Sequence, residues 1–193
     1  MATISTRPSC TRPSWLSASA AISWKTGANR QSRRAPAPIA VELLQSAMRP
    51  AIYVPVGNGS LICGIATWVK AHAPEIKIIG ICPEGAPSML HSWREGRVVT
   101  TERADTIADG LAVRLPVDEA VACMRTCVDE MVLVSDERMK EAMRLLFRHA
   151  GLAIEPSGAA GIAAIMDAPR TGAPVAAVLC GGNVRADLLT ELL

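Results

Sequence analysis

Hydrophobic and polar positions divide this chain in two. Through residue 37 the sequence is rich in Ser, Thr, Arg and Pro, carries T-R-P-S at 6–9 and again at 11–14, and sustains no period. A poorly ordered leader is expected there. From residue 38 to 193, short apolar runs alternate with longer stretches of helical spacing, which marks one α/β domain. I-A-V-E-L-L-Q-S-A from Ile39 predicts a helix that leaves through Met48-Arg49-Pro50. Ile52 to Val56 predicts a buried strand, and after a glycine turn the apolar spacing through Ile65, Trp68 and Val69 predicts a helix ending near Ala71–Pro74. Lys77 to Cys82 is the next strand, so strand, helix and strand fall within about 30 residues, the length of a βαβ unit.

The remainder keeps the same rhythm. A short helix through Trp93 follows C-P-E-G-A-P-S-M-L, and T-I-A-D-G-L-A-V at 106–113 reads as an apolar segment turning at Asp109-Gly110. Val117 to Cys127 predicts a helix and Met131 to Val134 a strand. Ser135 then caps an amphipathic helix with Glu137 early and Lys140, Arg144, Arg148 and His149 late, closed by Gly151. A helix from Ser157 to Met166 and a strand from Val175 to Cys180, running into Gly181-Gly182-Asn183, complete the pattern. These elements predict three layers, a mainly parallel sheet with helices on both faces, and such sheets bind ligands at the carboxyl ends of their strands.

Composition narrows the function classes. Aromatic residues are only 3% of the chain, so Ala, Val, Ile, Leu and Met must fill the core. Six of the 20 Lys and Arg residues lie in 1–41, where there is no Asp or Glu, leaving 14 against 18 acidic residues in the body. A mildly acidic, aromatic-poor body argues against nucleic-acid binding. The acid-free leader has a transit-peptide composition, but its prolines interrupt any amphipathic helix, which favours a non-native leader. No apolar run is long enough to span a bilayer, and six scattered cysteines without a C-x-x-C pair fit a reduced, cytoplasmic protein. Cys123 and Cys127 share a helix face, but with no His pair nearby they read as core thiols rather than metal ligands.

The candidate chemistry sits in the turns. Y-V-P-V-G-N-G-S-L-I-C-G at 53–64 runs from a strand through a glycine turn into a helix N-terminus, where loop amides and the helix dipole favour an anion. Three further loops, around 109–110, 155–158 and 180–183, lie at strand ends or helix starts. V-P-V-G-x-G-x-L-I-x-G, E-G-A-P-S-M, T-I-A-D-G-L-A-V, G-L-x-x-E-P-S-G-A-A and L-C-G-G-N-V, in this order from about Ile39 to Val184, closely resemble pyridoxal-phosphate enzymes of fold type II. This is the tryptophan-synthase-β superfamily, and the threonine/serine dehydratase branch is the nearest likeness.

The resemblance implies pyridoxal 5'-phosphate as cofactor and deamination of a β-hydroxy amino acid to a 2-oxo acid. It puts the phosphate loop at Gly57, Asn58, Gly59, Ser60 and Leu61, with Asn and Ser at two positions that are often glycine. Gly110 and Glu155 match positions lining the cofactor and a nearby cation region, and Cys180 matches the residue that meets the pyridine nitrogen. The acidic positions used by cation-binding members are here Cys82 and Ser88, so no metal is expected. The family's Schiff-base lysine lies in an S-F-K motif far upstream of the glycine loop, with a substrate-binding S-G-N loop between. Lys25, in S-W-K-T-G-A-N, is the one candidate, yet it stands too close to Gly57 to leave room for that small domain. The resemblance therefore implies the large-domain portion of such an enzyme, truncated and inactive alone. A non-catalytic subunit complementing a lysine-bearing half, a functionless remnant, and another lyase or ammonia-ligase branch stay open. Apolar surface left uncovered should drive homo-oligomerisation or pairing with a complementing N-terminal half.

Overall fold

The computed structural model describes residues 37–46, 50–169 and 172–192. The leader predicted over 1–37, Lys25 included, lies outside the described residues apart from its last position. Helix α1 spans Ala37–Ser46, and strand β1 (Ala51–Pro55) leads through the glycine loop into α2 (Ser60–His72). Strand β2 (Lys77–Pro83), helix α3 (Ser88–Glu95), a single 3-10 turn at Asp109–Leu111 and α4 (Asp118–Cys127) follow. Strand β3 (Glu130–Val134), α5 (Asp136–Ala150), α6 (Pro156–Asp167), β4 (Ala176–Ala177) and α7 (Ala186–Leu192) close the order.

The strands form one sheet in the order β3-β2-β1-β4, parallel at every pairing. Alternation along the central strands decides the layers, because successive side chains point to opposite faces. Ile52, Val54 and Val56 with Ile78 and Cys82 pack on one face, against Ile39 of α1, Ile62, Ile65 and Val69 of α2, and Met124 of α4. Tyr53, Ile79 and Ile81 pack on the other, against Met139, Met143 and Leu146 of α5 and Ala159, Ala160 and Ala163 of α6. The three-layer, parallel α/β architecture expected from the pattern is the one observed. Small residues along α6 are what let it approach closely: a β-carbon at Gly161 would come within 3.1 Å of the Ala177 side chain.

Local chemistry explains the helix ends. The Ser135 hydroxyl accepts the Arg138 N–H at 3.2 Å, and Gly151 takes φ 66° at the other end of α5, as the cap residues predicted. Pro156 opens α6 one residue ahead of the expected start, in the first-turn position where its missing N–H costs nothing.

Two differences from the sequence reading are informative. The last strand, expected over 175–180, is regular only at Ala176–Ala177. It pairs with β1 alone, and after the Val178 N–H meets the Tyr53 carbonyl the chain turns to lay the Cys180 carbonyl against Gly158. Helix α7 was not anticipated, since seven residues are too few to display a period.

Candidate functional site

The parallel sheet sends the carboxyl ends of its strands to one side, and the sequence-predicted loops meet there. Gly59 adopts φ 84° and forms the N-cap of α2. A β-carbon on it would sit 2.9 Å from that of Ala120, so position 59 requires glycine both for conformation and for space. No side chain caps the first turn of α2, and its first helical bond is Cys63 N–H to the Gly59 carbonyl at 2.9 Å. The amides of Ser60 and Leu61 are therefore left to an outside acceptor, at the positive end of the helix dipole. Asn58 and Ser60 are exposed and Leu61 half-buried.

Contacts between glycines draw the other loops in. A β-carbon at Gly57 would overlap the Gly110 carbonyl oxygen. One at Gly110 would stand 3.0 Å from the Ser157 hydroxyl and 3.9 Å from Glu155 Oε1. One at Gly158 would overlap the Cys180 carbonyl, and one at Gly181, which has φ 91°, would overlap the Glu155 carboxylate. Gly57, Gly110, Glu155 and Cys180 are thus brought into one connected cluster. Ser157, buried beside Gly110, joins it as well. Sequence reasoning used Ser157 only as a helix start, although its place within E-P-S-G was the available signal.

Glu155 ties the last two loops together. It is the N-cap of α6, and its carbonyl accepts the N–H groups of Gly158 (3.0 Å) and Ala159 (3.1 Å). Its carboxylate turns away from the helix and accepts the Asn183 N–H at 3.1 Å. Burial, and secondarily the negative charge of Glu155, pushes the Cys180 thiol up to about 11, so it stays protonated at neutral pH.

The other candidates are occupied by different partners. Cys82 is buried, with its thiol pushed up to about 12 by desolvation, and the Ser88 hydroxyl donates to the Val113 carbonyl at 2.6 Å. Cys127 Sγ donates to the Cys123 carbonyl at 3.1 Å. Among the described residues no three His, Cys, Asp or Glu side chains gather as metal ligands. No helix among them is long and apolar enough to cross a membrane. Lys70, about 15 Å along α2 from the glycine loop at 1.5 Å per residue, bonds Asp129 and the Pro74 and Ile76 carbonyls. Lys77 begins β2, at the end of the strand away from the loops, and Lys140 pairs with Glu137 on α5. Lys70 and Lys77 thus lie at the end of the sheet away from the cluster.

The donor set suits a phosphate attached to a flat, neutral-nitrogen ring. Uncapped amides and a glycine cradle stand at one side, and a protonated thiol stands at another. The chain is 38% identical over 143 residues to an L-threonine ammonia-lyase of Thermotoga maritima, covering 74% of this chain and 36% of that protein. It is 38% identical over 147 residues to a phenylserine dehydratase of Ralstonia pickettii, covering 75% and 45%. Its fold superposes on threonine deaminase isoform 2 of Solanum lycopersicum with a TM-score of 0.75 and 32% identity, over 81% of this chain and 47% of the other. The chain thus spans less than half the length of each of these relatives. Residues 25–181 match the family described as pyridoxal-phosphate dependent enzyme, and the chain belongs to that family, in its fold type II form.

Proposed function

We propose that this chain is the cofactor-holding portion of a pyridoxal-phosphate-dependent ammonia-lyase that converts a β-hydroxy amino acid to a 2-oxo acid and ammonia. The observation that carries the reading is the convergence of the Gly57–Leu61 loop, Gly110, Glu155 and Cys180 at one end of the sheet. The names of the relatives, threonine ammonia-lyase and phenylserine dehydratase, support the substrate class.

In this reading the amides of residues 57–61 and the α2 dipole hold the phosphate. Gly110 and Glu155 line the ring, with Glu155 holding the 181–183 loop through Asn183. Cys180 meets the ring nitrogen as a neutral partner that donates a hydrogen bond without giving up its proton. Bound cofactor supplies the sink for the electron pair released at the substrate α-carbon. A neutral thiol at the nitrogen would draw those electrons less strongly than a carboxylate partner would, which suits a reaction in which they form the Cα–Cβ double bond as the C–O bond breaks and its electron pair leaves with the β-hydroxyl group. Water leaves from the β-position and returns in hydrolysis, so the balance is amino acid to 2-oxo acid plus ammonia.

The lysine that carries the cofactor aldehyde comes, in this proposal, from Lys25 or from a complementing half of the assembly. Borohydride treatment of the purified chain loaded with pyridoxal phosphate, followed by peptide mass spectrometry and a 2-oxo acid assay with L-threonine and L-serine, tests this. An adduct on Lys25 with 2-oxo acid formation makes the chain self-sufficient. Reversible cofactor binding without an adduct assigns the lysine to a partner. Turnover confined to substrates without a β-hydroxyl group would contradict the ammonia-lyase reading.

A further inference from the structure

The segment bearing Gly110 has no regular strand of its own, yet the glycine loop leans directly on it. Its position is set from α5. Asp136, the first residue of that helix, accepts the Thr106 hydroxyl through Oδ1 at 2.6 Å and the Ile107 N–H through Oδ2 at 2.9 Å. The Thr106 oxygen in turn accepts the Ala108 N–H at 3.2 Å, and the Leu111 N–H closes the 3-10 turn on the Ala108 carbonyl at 2.8 Å. On the other side the Asp105 N–H reaches the Gly85 carbonyl at 2.9 Å. An acidic residue in a first helical turn is ordinarily explained by the dipole. Here Ser135 already caps α5, and both carboxylate oxygens of Asp136 are spent outside the helix, on 106–107.

We propose that Thr106 and Asp136 are positioning residues for the phosphate loop: their hydroxyl–carboxylate bond fixes the 3-10 turn, and the Gly110 carbonyl then sets where Gly57 and the amides after it lie. This deepens the function proposed above and rests on its reading of residues 57–61 as the phosphate cradle. Neither residue belongs to the cradle, so the effect is transmitted through backbone contact alone.

The test compares the wild-type chain with Thr106→Ser, which keeps the hydroxyl group, and Thr106→Val, which removes it at nearly constant shape. Hydrogen exchange without ligand is followed at Cys63, whose amide makes the first bond of α2 back to the Gly59 carbonyl, and across α5, and pyridoxal phosphate and pyridoxal are titrated separately. Thr106→Val is expected to speed exchange at the Cys63 amide by about tenfold while the middle of α5 is unchanged. It should also cut the preference for pyridoxal phosphate over pyridoxal by about tenfold, with Thr106→Ser restoring both. Wild-type exchange at Cys63 in Thr106→Val, or a Thr106→Ser variant as impaired as Thr106→Val, overturns the proposal. If Thr106→Val does not fold, Asp136→Asn takes its place, read at Cys63 and by the ligand preference alone, since Asp136 itself begins α5. A wild-type chain with no preference for the phosphorylated ligand would sink the phosphate reading, and the exchange data would still decide the positioning link.

Discussion

The main chains of Gly57 and Gly110 touch: a β-carbon at Gly57 would overlap the carbonyl oxygen of Gly110. Two segments more than fifty positions apart are held there at a separation only glycine permits, and the obstacle is backbone that no rotamer change can move aside. Gly57→Ala should therefore push the loop off the 3-10 turn, lowering stability by about 1–3 kcal/mol, the usual cost of overpacking. Chemical denaturation measures the loss. A variant as stable as wild type, with unaltered cofactor affinity, would mean that the loop relaxes freely.

Glu155 and Cys180 are electrostatically linked. The carboxylate adds to burial in holding the thiol near 11. Glu155→Gln keeps an acceptor for the Asn183 N–H and removes only the charge, so the Cys180 value should fall while staying above that of a free thiol, because burial is the larger cause. Peptide-resolved alkylation against pH reads this as a midpoint moved to lower pH. An unchanged or higher midpoint would remove Glu155 as the source.

Alkaline stability follows from the same thiols. Cys82 and Cys127 are pushed up to about 12 and Cys180 to about 11, from 9.0. Burial leads in all three, with Cys123 adding at Cys127 and Glu155 at Cys180. Between the unfolded and folded values the unfolded chain has lost protons that the native chain keeps, so stability must fall as pH rises. The contribution is whole below pH 9 and is lost from there to about 12. Cys82 adds a slope of up to about 1.4 kcal/mol per pH unit across that window, and Cys180 a smaller one that ends at about 11. Urea midpoints across the window should show the decline, and Cys82→Ala should flatten it; a slope indifferent to Cys82 would contradict the assignment.

Asp129 offers a contrast at the other end of the sheet. Its Oδ2 accepts the Ile78 N–H at 2.6 Å and pairs with Lys70 at 2.7 Å. Asp129→Ala strands that backbone donor at the start of β2 and should cost about 1–3 kcal/mol. Cofactor affinity, measured well below the unfolding midpoint, should not change. A selective loss of affinity would show that the two ends of the sheet are coupled.

Much of this arrangement was legible in the sequence, for identifiable reasons. β1 and β2 are buried on both faces, so each reads as an unbroken apolar run, and α5 announces itself through Ser135, its charge gradient and Gly151. The glycine loops were legible because close backbone approach leaves glycine no substitute at positions such as 57 and 158. The short β4 was not, since its length depends on a single neighbour, β1. Nor was the bond between Thr106 and Asp136: two ordinary polar residues, 30 positions apart, carry no local sign that they will meet. The role of Lys25 falls outside the described residues and rests on chemistry rather than on geometry.

The central claim is that the glycine loop and the uncapped start of α2 hold a phosphate. Its most direct test is a parallel titration of the purified chain with pyridoxal phosphate and with pyridoxal, followed by absorbance between about 320 and 450 nm. Saturable binding of the phosphorylated ligand, at least about tenfold tighter than pyridoxal and weakened by Gly57→Ala, is the result predicted here. Equal affinity for the two ligands, or no binding of either, would contradict it.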